Sequence, residues 1–346
     1  MPHKYIQLGT RKIGLDFPPL VIAEMGINHN GSLEAAQQIA LAAKRAGAEI
    51  IKHQTHIPDE EMSEEAKRAV PGNSPHSIWD IMCRCALSEA DERKLKEYIE
   101  SLGILFLSTP FSFAAVDRLE RFGVTAYKIG SGEMNNFPLV EYIARTQKPI
   151  FLSTGMNALD HVKRAVDVIT KYHTQFVLLH TTNLYPTPAE LIRLGALEDL
   201  KRAFPDEIIG LSDHSVNNLA CLAATALGAS VLERHFTDSK TRAGEDICCS
   251  MDPKELADLI AQSAEIARMR GGCKEPAREE EITQNFAFSS VVAARDIPSG
   301  HTLTAQDLTT KRPAGGIEAA RLPQLVGKRA KTSVSKGARL RWSDVE

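Results

Sequence analysis

Short apolar runs rich in Val, Ile and Leu alternate with amphipathic stretches from residue 20 to residue 272. The short runs predict β-strands, and the stretches between them predict helices, because an apolar repeat near every 3.6 residues is typical of a helix with one buried face. Eight such units in a row predict a parallel sheet that closes into a (β/α)8 barrel, an α/β fold. The predicted strands are Leu20–Ile27, Ile50–Thr55, Ile104–Ser108, Ala126–Ile129, Pro149–Ser153, Phe176–Thr181, Ile208–Ser212 and Val231–His235.

An open, doubly wound sheet has the same alternation and is the main alternative. The sequence has no Gly-x-Gly-x-x-Gly after its first predicted strand and no Walker phosphate-binding loop, so the usual features that favour the open sheet are missing. Helix starts support the alternation of strand and helix. Ser32 is placed to cap a helix that begins at Leu33. Ser88 and Asp91 form a capping-box pattern before Lys94–Ile99.

The character of the sequence changes after the eighth unit. Residues 273–288 are polar and charged and include a proline, a composition typical of a connection between domains. The remaining residues contain short strand-like pieces and an internal echo, in which Asp296–Leu308 resembles Ser333–Val345. We expect a barrel over residues 1–272, a linker over 273–288 and a small, pseudo-symmetric, β-rich domain over 289–346.

Charge and apolar content exclude several classes of protein. The 41 basic and 44 acidic residues give a net charge of −3, which offers no basic surface for nucleic acid or for an anionic membrane. No apolar run is long enough to cross a bilayer, and Met1–Phe17 lacks the apolar core of a secretion signal. The six cysteines form neither a disulfide framework nor a zinc ribbon, so we expect reduced thiols in the cytoplasm.

Polar or glycine-containing sequence follows every predicted strand. Because the carboxyl ends of all strands lie on one rim of a barrel, these segments are expected to meet where barrel enzymes carry their active sites. Each segment alone is also ordinary turn chemistry, but eight together are harder to explain that way. The segments are Glu24–Gly31, Lys52–His56, Ser108–Pro110, Lys128–Glu133, Ser153–Gly155, His180–Tyr185, Ser212–His214 and Glu233–Asp238.

Lys52 and Lys128 lie in two of these segments. Small hydroxyl residues beside glycine leave backbone N–H groups open to an anion, and the two ammonium groups add positive charge, so the rim predicts a phosphate or carboxylate pocket. Either lysine could instead pair with a structural carboxylate, or form a Schiff base as in class I aldolases. Anion binding is the interpretation that we favour.

His214 and His235 lie at the ends of the seventh and eighth strands, which neighbour each other in a barrel at a spacing of about 4.8 Å. Their imidazoles could share one metal ion, although two hydrogen-bonded rim histidines would give the same pattern. An ion with few protein ligands and oxygen donors from water and substrate could be manganese or magnesium more readily than structural zinc. Candidate carboxylates for sugar hydroxyls or proton transfer are Glu24, Glu133, Glu233 and Asp246.

Together these motifs resemble one family, the bacterial N-acetylneuraminate (sialic acid) synthases, over essentially the whole chain. Residues 289–346 resemble the family's antifreeze-like (SAF) domain, whose Gly-x-x-Leu-x-x-x-Asp-Leu pattern stands here as Gly300–Leu308. The resemblance implies a transferase that condenses phosphoenolpyruvate with N-acetylmannosamine and water and releases phosphate by carbon–oxygen cleavage. The matching stretches include Ile22–Gly31, Lys52–His56, Tyr127–Glu133, Leu184–Pro188, Gly210–His214 and Leu232–Asp238.

The resemblance also implies roles for individual residues. His214 and His235 would hold a divalent ion, most readily manganese, with magnesium possible. Glu24, Glu133 and Asp246 would act in catalysis, Glu24 near the reacting carbons. The residues implied to surround phosphoenolpyruvate are Lys52, Thr109, Lys128, Ser131, Ser153, Asn183 and Ser212. Those implied to face the acceptor sugar are Gln54, Glu133, Tyr185, Glu233 and Asp246, with Arg312.

In the resembled family the SAF domain covers the barrel of a partner subunit. The resemblance therefore implies a domain-swapped homodimer, in which Arg312 reaches the site of the neighbouring chain. Relatives often carry glycine at the position of Ala314, so a loop that needs a positive φ there would be strained in this chain.

Three other functions stay open on the sequence alone. Legionaminic and pseudaminic acid synthases share most of the rim and would use a diacetamido-trideoxyhexose. A lyase that works through a lysine imine would use pyruvate without a metal. A sugar-binding or ice-binding protein would need no reactive groups, and the intact polar rim argues against it.

Overall fold

The computed structural model describes residues 3–72 and 74–346, which form two compact units, one ending at Gly271 and the other beginning at Gly272. The strands are β1 Tyr5–Leu8, β2 Arg11–Gly14, β3 Leu20–Gly26, β4 Ile50–Thr55, β5 Leu105–Pro110, β6 Tyr127–Ile129, β7 Ile150–Ser153, β8 Phe176–Thr181, β9 Ile208–Asp213, β10 Val231–His235, β11 Ser290–Ala293 and β12 Leu308–Lys311. The α-helices are α1 Leu33–Arg45, α2 Pro58–Glu61, α3 Ile78–Cys85, α4 Glu89–Ser101, α5 Phe113–Phe122, α6 Phe137–Ala144, α7 Leu159–Thr170, α8 Ala189–Ile192, α9 Gly195–Ala203, α10 Leu219–Ala226, α11 Pro253–Met269 and α12 Glu281–Ala287.

Strands β3 to β10 form one parallel sheet of eight strands. The last strand, β10, pairs with the first, β3, with Val231 opposite Leu20 and His235 opposite Glu24. Strands β5 and β6 pack side by side at the remaining seam, so the sheet is a nearly closed barrel. This confirms the predicted (β/α)8 fold. The predicted strand ends differ by at most two residues, the largest difference being in β5, whose ladder with β4 continues to Pro110.

The barrel interior is apolar at the amino ends of the strands. A hairpin of β1 and β2, which the sequence reasoning missed, brings Ile6, Leu8 and Ile13 against this interior cluster. In β3, Leu20 and Ile22 belong to the same cluster, and the next side chain on that face of the strand is Glu24. Because strand side chains alternate between two faces, a polar residue at this level points into the barrel above its apolar base.

Helix starts follow the predicted capping. The Ser32 hydroxyl accepts a hydrogen bond from the backbone N–H of Ala35 at 3.2 Å, and α1 begins at Leu33 as expected. The Ser88 hydroxyl accepts from the N–H of Asp91 at 3.1 Å, so α4 begins five residues before the predicted Lys94. These hydroxyls satisfy amide groups that a helix leaves unpaired at its first turn.

The second unit contains a two-stranded antiparallel sheet, β11 with β12, and short 3-10 turns. Its hydrogen bonds repeat along the chain. The Gly300 N–H donates to the Ala330 carbonyl at 2.7 Å, and the Gly337 N–H donates to the Ala293 carbonyl at 2.8 Å. Both donors and both acceptors differ by 37 positions in the chain, so the two bonds are related by a pseudo-two-fold axis.

The internal echo of the sequence corresponds to the two halves of this arrangement. Ile297 and Val334 exchange a pair of backbone hydrogen bonds at 2.8 Å where the halves meet. Each half also ends in a 3-10 turn that closes on a carboxylate, Ala305–Asp307 in one and Trp342–Asp344 in the other. The pseudo-symmetric, β-rich character predicted for this region is therefore present.

The segment expected to be a linker contains structure of its own. Helix α12 occupies most of its second half, and the Asn285 carbonyl accepts from the N–H of Ala314 in the same unit. The strain expected at Ala314 is absent, because the positive φ, +104°, falls on the following residue, Gly315. Among the described residues, no helix has both the length and the apolar character needed to cross a membrane.

Candidate active site

A cavity of about 130 Å³ opens among the carboxyl ends of the barrel strands. Thirteen of the sixteen predicted site residues line it. They are Glu24, Lys52, Gln54, Thr109, Lys128, Ser131, Ser153, Asn183, Tyr185, Ser212, His214, Glu233 and His235. They come from β3 to β10 and the segments that follow, so their convergence results from closure of the sheet.

A larger cleft of about 390 Å³ lies elsewhere, beside α7 and α9. Its lining includes apolar side chains such as Leu159 and Val162, and its ionisable groups are His180, Arg193 and Asp199. The smaller cavity concentrates far more buried charge, and perturbed ionisable groups in a cleft mark candidate catalytic sites. We therefore assign the site by its chemistry and not by its size.

Two lysines and two glutamates form the charged centre of the cavity. The Lys52 ammonium donates to Glu233 Oε1 at 3.0 Å and lies 3.3 Å from Glu24 Oε1. The Lys128 ammonium lies 3.7 Å from the same oxygen of Glu233. All four side chains are almost fully buried. A buried charge is stable only when it is paired, and here both lysines are paired with buried glutamates. Because both lysines also line the cavity, an entering anion could reach their ammonium groups.

The pKa values in the cluster follow its geometry. Burial opposes the charge on Glu233, but Lys128 and Lys52 outweigh it, so the pKa of Glu233 is lowered. Burial likewise opposes the charge on Lys52, and the two glutamates nevertheless raise the pKa of this lysine. For Lys128 burial dominates and lowers the pKa, and for Glu24 burial dominates and raises it. Glu24 is thus the carboxyl group of the cluster that retains a proton most readily.

Hydroxyl and amide groups surround the lysines. Lys128 donates to the Ser153 hydroxyl at 2.6 Å, and the Ser212 hydroxyl donates to Glu233 at 3.0 Å. The buried Thr109 hydroxyl and the buried side-chain amide oxygen of Asn183 have no hydrogen-bond partner among the described residues. Orphaned buried polar atoms are costly, and their presence at a cavity wall is typical of a ligand-binding site.

The two candidate metal ligands lie next to each other. The ring centroids of His214 and His235 are 5.4 Å apart, and Tyr185 stacks on His214 at 4.1 Å. Burial lowers the pKa of His214 to about 4 and the pKa of His235 well below its ordinary value. Both imidazoles are therefore neutral near pH 7, the form in which a ring nitrogen can ligate a metal.

The hydrogen-bonding state of the histidines fits a metal ion. Nδ1 of His214 donates to the Thr182 carbonyl at 2.8 Å, which leaves the lone pair on Nε2. Nδ1 of His235 has no hydrogen-bond partner among the described residues and lies 3.5 Å from Asp246 Oδ2. No group of three or more His, Cys, Asp or Glu side chains within the described ranges is placed to hold a metal. Two protein ligands would leave most coordination positions for water and substrate.

Three predicted residues lie outside the cavity lining. Asp246 is buried beside His235, and burial raises its pKa to about 7, with Glu245 adding to the effect. Glu133 is half-buried, accepts a hydrogen bond from Asn136 at 3.2 Å, and has a pKa raised by burial. Arg312 belongs to the C-terminal unit and is exposed directly after β12.

Several lining residues were missed by the sequence reasoning. Phe111, Gly130, Gly132 and Thr181 also line the cavity. His56, within the predicted Lys52–His56 segment but given no role, stacks on Phe111 at 4.3 Å. Phe111 follows Ser108–Pro110 immediately, so extending that motif by one residue could have found it. From the sequence alone, a phenylalanine at this position would be predicted to lie in the hydrophobic core. Only the folded chain shows that Phe111 lines the cavity.

Comparison with known proteins agrees with these features. The profile of the NeuB family matches residues 39–275, and that of the SAF domain matches residues 288–346. The chain is 34% identical to the N,N'-diacetyllegionaminic acid synthase of Legionella pneumophila over 98% of both proteins. It is 33% identical to the human N-acetylneuraminate-9-phosphate synthase, covering 97% of this chain and 95% of the human one.

A solved structure shares the fold. The crystal structure of the N-acetylneuraminic acid synthetase of Leptospira borgpetersenii in complex with citrate superposes with a TM-score of 0.75 at 32% sequence identity, over 81% of this chain and 95% of the other. The barrel, the polar cavity at its strand ends and both sequence profiles agree. The chain therefore belongs to the NeuB family, the sialic acid synthase family, and ends in a SAF domain.

Proposed function

We propose that this chain is a synthase that condenses phosphoenolpyruvate with N-acetylmannosamine and water, giving N-acetylneuraminic acid and phosphate. It would be a transferase that acts with a divalent metal ion. The observation that carries the proposal is the convergence, in one cavity, of two lysines paired with buried glutamates and two neutral histidines. Such a site can bind an anion beside a metal ion.

The lysine side of the cavity suits phosphoenolpyruvate. This substrate carries a phosphate and a carboxylate, and Lys52 and Lys128 reach the same oxygen of Glu233 at 3.0 and 3.7 Å. The two ammonium groups can therefore be shared between Glu233 and an entering anion. Ser153 and Ser212 supply hydroxyls at the same level, and Thr109 and Asn183 supply buried polar atoms that are not already committed. The lysine ammonium groups and the Ser153 and Thr109 hydroxyls are fixed donors that can stabilise a leaving phosphate, whereas the uncommitted side-chain oxygen of Asn183 can only accept a hydrogen bond.

The histidine side suits a metal ion. His214 and His235 would hold manganese, or magnesium, through their neutral imidazoles. When bound, the ion supplies a Lewis acid for an aldehyde oxygen and lowers the pKa of bound water. Tyr185 stacks on His214 and meets His235 edge-on at 5.8 Å, so its ring keeps both imidazoles in place.

In the proposed reaction the bonds form and break between the two substrates and water, and protein groups transfer protons and stabilise charge. The CH2 carbon of phosphoenolpyruvate bonds to the aldehyde carbon of the sugar, water adds to the phosphate-bearing carbon, and the bond from that carbon to oxygen breaks to release phosphate. Glu24 and Asp246 have raised pKa values, that of Asp246 about 7, so either can take up or deliver one proton near neutral pH. Lys52 and Lys128 face the departing phosphate charge.

Phosphate release across a panel of sugars tests the proposal. The purified protein is incubated with phosphoenolpyruvate, manganese and, in turn, N-acetylmannosamine, its 6-phosphate, and the two diacetamido-trideoxyhexoses that lead to legionaminic and pseudaminic acids. We expect the largest kcat/KM with N-acetylmannosamine and loss of activity with a chelator. Release with none of the sugars would refute the proposal. A larger kcat/KM with a diacetamido sugar would keep the reaction and replace the acceptor.

A lyase that works through a lysine imine is separated by a second assay. Borohydride traps an imine between pyruvate and a lysine as a stable secondary amine. We expect no mass increase after incubation of the protein with pyruvate and borohydride. A single adduct at Lys52 or Lys128 would assign the chain to the lyase class instead.

We also propose that the enzyme works as a domain-swapped homodimer in the cytoplasm. The C-terminal unit is connected through a polar segment, and the exposed Arg312 offers a guanidinium group for an acceptor substrate. The six cysteines, all within the described ranges, are free, which agrees with a reducing compartment.

A further inference from the structure

A line of hydrogen bonds connects α2 to the charged centre of the cavity. Glu61 Oε1 lies 2.9 Å from Nδ1 of His56, and Nε2 of His56 lies 3.0 Å from Oε1 of Gln54. The amide nitrogen of Gln54 donates to Glu24 Oε1 at 2.8 Å. The family resemblance implies a sugar contact for Gln54, and the proposed function gives Glu24 a proton to transfer, but His56 and Glu61 are left without a role.

His56 is held on several sides. Its side chain is 3% exposed and that of Glu61 is 5% exposed. The Phe111 ring stacks on the imidazole at 4.3 Å, with an angle of 15° between the planes. The second oxygen of Glu61 accepts from the backbone N–H of Ile57 at 3.3 Å, which ties the carboxylate to the start of α2. A buried ring with these contacts has little freedom to move.

The types of atom in the line fix the orientation of the Gln54 amide. The amide oxygen can only accept, so the contact with His56 needs a proton on Nε2. With its oxygen turned towards His56, Gln54 directs its NH2 group at Glu24. That group carries two hydrogens, and Glu24 accepts one of them. The other is available to a ligand, because Gln54 lines the cavity.

The line lies on the sugar side of the proposed site. Gln54, in the middle of the line, is implied to face the acceptor sugar together with Glu133, whose pKa is raised by burial and further by the charge of Glu61. Of the groups assigned to phosphoenolpyruvate, Lys52 lies 3.3 Å from Glu24 at the far end of the line, whereas Lys128 and Ser153 bond to each other and do not contribute to it. A change at His56 or Glu61 should therefore be felt first by the sugar.

We propose that His56, held by Glu61, is a positioning residue that fixes the Gln54 amide for the acceptor sugar. The inference rests on the proposed function, because it assumes that a sugar contacts Gln54. His56 itself touches neither substrate in this assignment. Its contribution is to keep one amide hydrogen pointed at the sugar and the other at Glu24.

Steady-state kinetics with His56→Ala, Glu61→Ala and Glu61→Gln test the proposal, with phosphate release as the readout. We expect His56→Ala to raise KM for the sugar about 10-fold to 100-fold, the loss that follows from a misplaced hydrogen-bond donor. KM for phosphoenolpyruvate should change by less than about threefold. In Glu61→Gln the new amide can donate to Nδ1 of a neutral ring and leave the proton on Nε2, so this variant should stay near the wild type, whereas Glu61→Ala should follow His56→Ala.

A matched control is Glu60→Ala, which removes an exposed carboxylate from the same helix. It should leave both KM values unchanged. If His56→Ala fails to fold by circular dichroism, His56→Gln retains an amide donor in a similar volume and is measured instead. An unchanged KM for the sugar, or equal increases for both substrates, would overturn the proposal. Equal effects of Glu61→Gln and Glu61→Ala would show that the charge of Glu61, and not its hydrogen bond with Nδ1, matters, and would also overturn it.

A readout that needs no turnover separates this proposal from the proposed function. In a nitrogen–proton NMR spectrum of the wild-type protein, the hydrogen-bonded Gln54 amide should give a pair of hydrogen resonances displaced from the positions of a free side-chain amide, assigned by their loss in Gln54→Glu. We expect His56→Ala to shift this pair towards the positions of a free side-chain amide, and Glu61→Gln to leave it unchanged. If the pair is unaffected by His56→Ala, the positioning role is wrong whatever the substrate. If no sugar releases phosphate but the pair responds as expected, only the proposed function fails.

Discussion

Arg234 and Asp213 lie directly opposite each other on β10 and β9, each one residue before a histidine of the candidate metal pair. Arg234 Nε is 3.3 Å from Asp213 Oδ2, and both side chains are almost completely buried. One amino group of the guanidinium also donates to the Ser215 carbonyl at 2.6 Å. Since side chains alternate along a strand, this ion pair lies on the outer face of the barrel wall, behind His214 and His235.

This pair should set the spacing of the two histidines. We expect Arg234→Lys, which keeps the charge but loses the planar fork, to weaken manganese binding about 10-fold to 100-fold, the usual effect of altering support behind metal ligands. Affinity is measured by titration calorimetry with manganese alone. Arg121→Lys, in an exposed ion pair with Glu89, is the control. Wild-type affinity in a folded Arg234→Lys protein would contradict the prediction.

Removal of either cavity lysine should impair the use of phosphoenolpyruvate. We expect Lys52→Ala and Lys128→Ala to raise KM for phosphoenolpyruvate by at least about 10-fold, because each removes a charge-assisted contact worth about 1.5–3 kcal/mol. Initial rates at varied phosphoenolpyruvate and saturating sugar measure the effect. Lys44→Ala, at the end of α1, should behave as the wild type. Unchanged phosphoenolpyruvate kinetics in both cavity variants would refute the anion assignment.

Gly155 should tolerate no side chain. A Cβ at this position would lie 1.9 Å from Asn183 Oδ1 and 2.8 Å from Ser131 Oγ. We expect Gly155→Ala to displace Asn183 and to lower kcat/KM for phosphoenolpyruvate at least about 10-fold, by misplacing groups of the proposed anion pocket. Gly195→Ala, where a Cβ would meet open space, is the control. Wild-type kinetics in Gly155→Ala would show that Asn183 has no role in binding.

Mixing of two inactive variants tests the proposed trans arrangement. Arg312→Ala removes the guanidinium group from the C-terminal unit, and His235→Ala removes a proposed metal ligand from the barrel. If Arg312 serves the partner barrel, a mixed dimer contains one site in which both residues are intact, so activity should partly return. Phosphate release is measured after subunit exchange, which is followed with differently tagged chains. Complete exchange without recovery, while each variant alone is inactive, would show that Arg312 serves its own barrel.

Asp307 should make the C-terminal unit sensitive to acid. Burial opposes its charge, but hydrogen bonds from Thr304, Arg295 and His301 outweigh burial and lower the pKa of Asp307 well below its ordinary value. A carboxyl group with a lowered folded-state pKa adds stability above its unfolded pKa of about 3.9, and this stability is lost as the pH falls towards the folded value. Asp307→Asn should therefore lower stability at pH 7, and its difference from the wild type should shrink below about pH 4.

Tryptophan fluorescence can follow this unit alone. The chain has two tryptophans, and a Trp79→Phe background leaves Trp342, which lies in the C-terminal unit. Thermal unfolding of this background, with and without Asp307→Asn, is compared at pH 7, 5 and 3. A difference that stays constant across this range would mean that Asp307 does not remain ionised through the hydrogen bonds described.

Much of the candidate site could be predicted from the sequence, and the reason is geometric. The residues came from the carboxyl ends of predicted strands, and closure of the barrel brings those ends to one rim whatever the details of packing. Lys52 and Gln54 lie two apart on β4, and Glu233 and His235 lie two apart on β10, so the period of two along a strand already puts each pair on one face.

The features that could not be predicted from the sequence also have physical reasons. The β1–β2 hairpin has only four residues in each strand, too short to show a clear period. The role proposed for His56, which follows β4, depends on contacts with Glu61 and Phe111 from other segments. The expectation of strain at Ala314 was wrong, because the adjacent Gly315 adopts the positive φ. The residue with positive φ in a loop can lie one position along the chain from the expected one, and composition alone does not show which residue adopts this conformation.

The sequence by itself determined the barrel, the β-rich C-terminal domain and the set of polar residues on the rim, because periodicity and strand order are local properties of a chain. Only the tertiary structure decided how those residues pair. Lys52 and Lys128 share Glu233, whereas Glu24 accepts a hydrogen bond from Gln54 and lies 3.3 Å from Lys52 alone of the two lysines. These choices depend on distances of a few ångströms between strands far apart in the sequence. Coulomb energies and desolvation change steeply over such distances, so the pairing and the protonation of the site emerge only when the barrel closes.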